Sequence, residues 1–101
     1  GVMTSISENK LTIPSGTKLK QNYPNPFNPT TNIEYSITRS GYVTIKVFNI
    51  LCKLVSTLVQ EEKQPGNYKV QFNGAAFPSG VYFYRMQAGN YTETKKFILL
   101  K

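Results

Sequence analysis

The sequence is informative first in what it lacks: its 101 residues include no Asp, no His and no Trp. Without His, no Ser or Cys has its usual general base, and a metal site lacks its commonest ligand. The five acidic residues are all Glu, and only Glu61 and Glu62 are neighbours, in what we expect to be a solvated polar loop. A catalytic carboxylate pair, a nucleophile with its base and a metal cluster are all missing. We therefore predict a protein that is not an enzyme and that needs no cofactor.

A single cysteine, Cys52, excludes an intrachain disulfide framework, so packing and strand pairing must hold the domain together. Because no run of 18 apolar residues occurs, we expect no membrane span. The first ten residues also lack the charged and then apolar pattern of a secretory signal peptide. Gly1 and Val2 make an unusual start, so we expect a piece from the carboxyl end of a longer chain, whose other part holds any catalysis.

Length and composition favour one folded domain with a positive charge. A chain of 101 residues, 40% of them hydrophobic, suffices for a single core. Twelve basic residues less five acidic ones leave a net charge of +7, which by itself attracts polyanions only non-specifically. The lysines are scattered and the aromatic residues fall at strand period, so we do not expect nucleic acid as a partner. A glycan platform made of tyrosines stays open, although the absence of Trp counts against it.

A polar amino-terminal stretch precedes a proline-rich segment. Residues 1–22 are rich in Ser, Thr, Asn and Lys and are predicted to be a linker from an upstream domain, so that the folded domain comprises residues 23–101. In residues 23–29 (YPNPFNP), each of three prolines removes a backbone donor and restrains φ, which disfavours helix and central strand alike. We expect this lead-in segment to be extended and stiff, with the rings of Tyr23 and Phe27 docked on the core.

Alternation of apolar and polar residues predicts short strands along the rest of the chain. The predicted strands lie at about 32–38, 42–48, 50–59, 68–72, 81–88 and 91–99. Residues 50–59 also fit helical spacing, but their Val, Ser and Thr residues are weak helix formers and favour a strand after a turn at 49–52. Six or seven short strands without a convincing helix predict an all-β protein, an antiparallel β-sandwich.

The same alternation selects core positions near the carboxyl end. Tyr82, Tyr84, Met86 and Ala88 are predicted to face inward, because Arg85 and Gln87 on the opposite face are polar. Phe97 and Leu99 are predicted to face inward on the last strand. Gly89 and Asn90 lie between two strands and predict a two-residue hairpin turn with Gly in its first position.

Three blocks of sequence together resemble a known family. They are YPNPFNPTT at 23–31, SGVYFY at 79–84 and TKKFILLK at 94–101. In this combination and order they resemble the type A carboxyl-terminal sorting domain of type IX secretion cargo, over about residues 20–101. The resemblance implies an immunoglobulin-like sandwich of seven strands, similar to a domain of the hook-capping protein. It also implies a folded address tag that is recognised at the bacterial outer membrane.

The resemblance implies which residues carry the signal. They are Tyr23, Pro24, Asn25, Pro26 and Phe27 of the lead-in segment, Gly80, Val81 and Tyr82 of the middle block, and Lys95, Lys96, Phe97, Ile98, Leu99, Leu100 and Lys101 of the terminal strand. From the residues alone, Gly80 is a turn residue at the start of a strand. Lys95 and Lys96 are charges on an edge strand that limit aggregation. Both interpretations stay open for these positions.

The implied partners are an outer-membrane secretion translocon or shuttle protein, a sortase-like peptidase and an upstream cargo domain. The implied location is the cell surface or the medium, reached through the periplasm and the outer membrane. A terminal strand can offer backbone groups and alternating side chains to such a partner by strand addition. Two alternatives remain, because a fold does not fix a function: an accessory module that binds a glycan or an adjacent domain, and a structural spacer.

One departure from the family concerns Cys52. The family normally has glycine in the turn after the second strand, at a position with positive φ. A side chain there costs about 1 kcal/mol relative to glycine. We therefore expect Cys52 to adopt a positive φ in this chain.

Overall fold

The computed structural model of the chain describes residues 16–101, so residues 1–15 of the predicted linker lie outside the described part. Residues 16–101 form strands and no helix. The seven strands are β1 (Lys18–Leu19), β2 (Thr30–Ile37), β3 (Gly41–Asn49), β4 (Leu54–Lys63), β5 (Gly66–Asn73), β6 (Gly80–Ala88) and β7 (Tyr91–Leu99).

The strands form two sheets in which all neighbours are antiparallel. A small sheet has the order β1-β2-β5, and a large sheet has the order β4-β3-β6-β7. Each sheet turns one face inward, because successive side chains of a strand point to opposite sides. This arrangement confirms the predicted immunoglobulin-like antiparallel β-sandwich of about seven strands.

The core lies between the sheets and contains the side chains that alternation selected. Tyr84, Met86, Phe97 and Leu99 are fully buried, and Tyr82 is almost so. The ring of Phe97 lies 4.9 Å from that of Tyr84. These aromatic and aliphatic contacts hold the sandwich together without a disulfide, since burial of each such side chain contributes about 1.5–3 kcal/mol.

The hairpin between β3 and β4 confirms the predicted turn at 49–52. The backbone N–H of Cys52 donates to the carbonyl oxygen of Asn49 at 2.9 Å. The Asn49 side chain adds an Asx contact, accepting from the N–H groups of Leu51 and Lys53 at 2.9 and 3.0 Å. Cys52 has a φ of 65°, in the left-handed region, as expected from its position.

The second predicted hairpin turn is also confirmed. Ala88 pairs with Tyr91, so Gly89 and Asn90 form the two-residue loop between β6 and β7. Gly89 has a φ of 59° and Asn90 does not have a positive φ, which fits a type II′ turn with glycine first.

Strand β4 runs further than the polar sequence suggested. Glu61 and Glu62 were expected in a loop, but they lie in β4, opposite Val43 and Tyr42 of β3. Pairing with the apolar strand β3 extends β4 over these polar residues. Their side chains remain exposed, as a solvated position requires.

The predicted linker boundary between residues 22 and 23 falls inside the packed part of the chain. In β1, Leu19 pairs with Tyr35 of β2 and is 4% exposed. Asn22 is 3% exposed, and its backbone N–H donates to the hydroxyl of Tyr84 at 2.8 Å. Residues 16–22 therefore belong to the sandwich, because their apolar and polar groups find partners in both sheets.

Candidate recognition site

Three sequence blocks that are far apart in the chain meet at one end of the large sheet. Gly80 and Val81 of β6 pair with Leu99 and Ile98 of β7. Phe27 of the lead-in segment pairs with the same Leu99 in an isolated parallel bridge. The lead-in segment, the start of β6 and the end of β7 are thus neighbours, and we call this end of the molecule the terminal end.

The lead-in segment covers the outer edge of β7 by backbone contacts. The N–H of Phe27 donates to the carbonyl oxygen of Ile98, and the N–H of Leu100 donates to the carbonyl oxygen of Phe27, both at 2.9 Å. The N–H of Ile98 donates to the Asn25 side chain at 3.1 Å. Strand β7 is an edge strand of the large sheet, but the backbone groups of Ile98 and Leu100 at its end already have hydrogen-bond partners. At Ile98 and Leu100, the expectation that the terminal strand offers free backbone groups for strand addition is therefore wrong.

The two rings of the lead-in segment have opposite environments. Phe27 is 1% exposed and its ring lies 5.0 Å from that of Phe97 and 5.9 Å from that of Phe72. Tyr23 is 78% exposed, so the expectation that its ring docks on the core is wrong. The segment also bends repeatedly, where an extended course was expected. Of the two rings, only that of Phe27 packs in the core and anchors the segment. Tyr23 is held through its backbone, which pairs with Asn32, and its ring stays in solvent.

The terminal strand divides the predicted signal residues between two faces. Phe97 and Leu99 are fully buried in the core, and Lys95 is on the same inner side. Lys96, Ile98 and Leu100 alternate with them and lie on the outer side of the large sheet. Phe97 and Leu99 hold the fold, while Lys96 and Leu100 are exposed and Ile98 and Lys95 are partly exposed.

Lys95 belongs to a small polar network near β1. Its ammonium group lies 3.1 Å from a Glu93 carboxylate oxygen, and the Tyr91 hydroxyl donates to the other oxygen. Hydrogen bonds from Tyr91 and Lys95 lower the pKa of Glu93. Burial and the bond to Glu93 raise the pKa of Tyr91, whose hydroxyl also accepts from the Leu19 N–H at 3.1 Å. The network joins β1 to β7, which is a structural role.

The last residue is held by the loop between β5 and β6. The ammonium group of Lys101 donates to the carbonyl oxygens of Ala75 and Phe77, each at 2.7 Å. Its backbone N–H donates to the Ser79 hydroxyl at 3.0 Å. Sequence reasoning placed Lys101 in the signal but gave no sign of this contact, because the loop carbonyls carry no side-chain pattern.

Residues 16–101 contain no group of three His, Cys, Asp or Glu side chains that could bind a metal ion. A hollow of about 580 Å³ lies at the other end of the sandwich, lined by residues such as Arg39, Tyr42 and Tyr91. It contains no nucleophile with a base and no paired carboxylates.

Over the same residues, no helix is both long and apolar enough to cross a membrane. The fold and the terminal end together define a class: an immunoglobulin-like sandwich in which three distant sequence blocks lie side by side at one end.

Comparison with known proteins identifies the family. The model of the secretion system C-terminal sorting domain matches residues 21–100, and the chain belongs to this family. A search of curated proteins finds no match. Among solved structures, the chain is similar to PorZ of Porphyromonas gingivalis, described as an essential bacterial surface component of the type IX secretion system. The identity is 20% and the TM-score 0.50, over 85% of this chain and 12% of PorZ.

The structural likeness supports the fold, and the family gives the function. The chain spans about an eighth of the PorZ chain it matches. Family members are the carboxyl-terminal secretion signals of type IX cargo, and they mark proteins for the cell surface or the extracellular space through the outer membrane. The chain is such a sorting signal and interacts with the secretion machinery.

Proposed function

We propose that the signal is a folded surface, which forms only when the lead-in segment, the start of β6 and the end of β7 are assembled. An outer-membrane shuttle protein or the translocon binds this surface. The observation that carries the proposal is the bridge between Phe27 and Leu99, which joins the first and last blocks of the signal. A linear peptide with the sequence of residues 95–101 lacks these neighbours.

The proposed signal residues divide into two groups with different tasks. Phe27, Tyr82, Phe97 and Leu99 are buried and fix the shape of the surface. Residues on the outside, including Tyr23, Lys96 and Leu100, are the candidates for direct contact. Recognition then depends on side chains and shape, because the backbone groups at Ile98 and Leu100 are occupied.

The proposed cargo connection lies away from the recognition site. Gly16 and Thr17 are near Ser36 and Thr38, at the end of β2 that is remote from Phe27. An upstream cargo domain is attached at that side and leaves the terminal end accessible. Catalysis belongs to the cargo, and the sorting domain itself catalyses nothing. A sortase-like peptidase that removes the signal acts on the chain before β1.

The test is export of a periplasmic reporter fused to the 101-residue chain in a bacterium with a type IX system. We expect the fusion to reach the medium or the cell surface, and a deletion of residues 95–101 to abolish export. A second fusion carries only residues 95–101 after the reporter, and we expect it to stay in the periplasm. Export of the deletion variant at the normal level would refute the signal role. Export directed by the heptapeptide alone would refute the folded surface.

A further inference from the structure

The large sheet has an apolar outer face at the terminal end. In one row across the strands, Phe48 of β3 pairs with Leu54 of β4 and with Phe83 of β6. In the next row, Val81 of β6 pairs with Ile98 of β7. These side chains point away from the core, because Val47, Tyr82 and Tyr84 alternate with them and are buried. We call the following set the apolar outer face: Phe48, Leu54, Val81, Phe83, Ile98 and Leu100.

Such a face is unusual for an antiparallel sheet, whose outer side normally carries polar residues. Leu54 and Leu100 are each 53% exposed, and the other four members are half-buried. Contiguous exposed apolar surface with a polar rim is typical of a binding site. Within residues 16–101, there is no third sheet and no helix to pack on this face.

Basic side chains border the apolar outer face. Lys96 stands beside Phe83, and Lys46 stands opposite Arg85 in the next row. The Arg85 guanidinium lies 4.7 Å from the centroid of the Phe48 ring. No carboxylate of residues 16–101 forms an ion pair with any of these three cations. In the described chain, the acidic residue on this face is Glu62, which pairs with Tyr42 at the far end.

We propose that the apolar outer face is the surface on which the secretion machinery docks, and that its partner is a protein with an apolar patch bordered by carboxylates. This inference rests on the proposed function and names the chemistry of the partner. Three accessible residues of the terminal block, Lys96, Ile98 and Leu100, are part of the face or its border. The border cations have no ion-pair partner within residues 16–101, so a partner with carboxylates is complementary to them, and opposite potentials steer association and exclude wrong partners.

A protein fits this face better than a lipid surface does. The two Phe rings lie in a sheet and are half-buried, so they do not project as a membrane anchor would. Tyr and Trp are the residues enriched at membrane interfaces, and the apolar outer face contains neither.

The test compares single substitutions in the 101-residue chain fused to the exported reporter. Lys96→Glu reverses a border charge, and Ile98→Thr removes apolar surface but keeps a good strand former. We expect each to lower the exported fraction about tenfold, Ile98→Thr through lost apolar contact within the face and Lys96→Glu through charge repulsion from a carboxylate border. Lys96→Arg keeps the positive charge, so we expect it to be exported at the wild-type level.

Two matched controls are available in the same chain. Lys69→Glu makes the same charge change on an exposed strand lysine of the small sheet. Tyr42→Thr removes an exposed ring from the far end of the same face. We expect both controls to be exported normally and all variants to keep the wild-type Tm within a few degrees, because the changed side chains are outside the core.

The outcomes separate this inference from the signal role itself. If Lys96→Glu and Ile98→Thr are exported normally while deletion of residues 95–101 abolishes export, the docking face is wrong and the signal role stands. If the deletion variant is exported, the signal role fails.

Two further measurements test the kind of partner. The first is co-sedimentation with vesicles of phosphatidylethanolamine and lipid A. If the wild-type chain sediments with the vesicles and Lys96→Glu does not, the partner is a membrane and the proposed protein partner is wrong. A dimer in size-exclusion chromatography that Ile98→Thr dissociates would instead make the face a contact between copies.

Discussion

At position 52 the chain has a cysteine in a backbone conformation that favours glycine. The φ of 65° brings the cysteine Cβ close to its own backbone, which costs about 1 kcal/mol in an L-residue. We expect Cys52→Gly to raise the Tm of this domain by roughly 4–8 °C, the shift that corresponds to that energy at this size. Thermal unfolding followed by circular dichroism measures the change.

Cys52→Ser is the control for this substitution, since it removes the thiol but keeps a Cβ at the same φ. We expect its Tm to stay near that of the wild type. Equal stabilisation by Gly and Ser would mean that the thiol, and not the backbone, is unfavourable in the hairpin.

Tyr84 joins the amino-terminal residues to the core through one buried hydroxyl. It accepts from the Asn22 N–H at 2.8 Å and donates to the Lys20 carbonyl oxygen at 2.7 Å. Tyr84→Phe leaves both backbone groups without this partner, so we expect a loss of about 1–3 kcal/mol in the free energy of unfolding. Urea denaturation measures it. Tyr82→Phe is the control, because its hydroxyl makes one bond, to the Pro78 carbonyl oxygen, and a smaller loss is expected.

The same hydroxyl makes stability depend on alkaline pH. Burial raises the pKa of Tyr84 to about 12, against an ordinary value of 10. A raised pKa means that the folded state holds the proton more tightly, so this contribution is complete below pH 10 and is lost as the pH rises towards 12. We expect Tm to fall over this range, and to fall less steeply in Tyr84→Phe. An equal slope in both proteins would exclude Tyr84 as the cause.

At the scale of elements, the lead-in segment is held by one ring. Phe27 is buried among Phe72 and Phe97, and large aromatic side chains cost about 3–5 kcal/mol when replaced by alanine in a core. We expect Phe27→Ala to lose this much stability and to lower export, although residues 95–101 are unchanged. Tyr23→Ala is the matched control, since its ring is exposed and we expect a change below about 0.5 kcal/mol. Similar losses of stability in both variants would contradict the anchoring role of Phe27.

The strands were predictable because alternation is a local signal. Ile33, Tyr35 and Ile37 repeat at period two, and each is buried in β2. The full length of β4 was not predictable, because Glu61 and Glu62 become strand residues only through pairing with β3. The bridge between Phe27 and Leu99 was equally hidden, since neither residue has a pattern that points to the other.

At the scale of the whole molecule, the folded domain begins before the lead-in segment. A chain that starts at Tyr23 lacks the buried side chains of Leu19 and Asn22. We expect it to be less stable by about 3 kcal/mol or more than a chain that starts at Gly16, from lost apolar burial and an unsatisfied Tyr84 hydroxyl. Denaturation of the two purified chains measures the difference. Equal stabilities would show that residues 16–22 contribute nothing to the fold.

The candidate site was partly visible in the sequence. The three motifs could be found there, and alternation along 95–101 separates inner from outer residues. Their assembly at one end, the covering of β7 by Asn25 and Phe27, and the apolar row of Phe48 and Phe83 required the register between strands. Non-local pairing sets that register, and a single sequence does not display it.

The parallel bridge between Phe27 and Leu99 has a consequence for when the signal exists. Leu99 must be synthesised before Phe27 can pair with it. A protease that removes the end of β7 removes this pairing partner. Under the proposed function, a cargo molecule that has lost Leu99 therefore reaches the outer membrane without the assembled recognition surface. The recognition surface that we propose therefore forms only after the chain has been synthesised as far as Leu99.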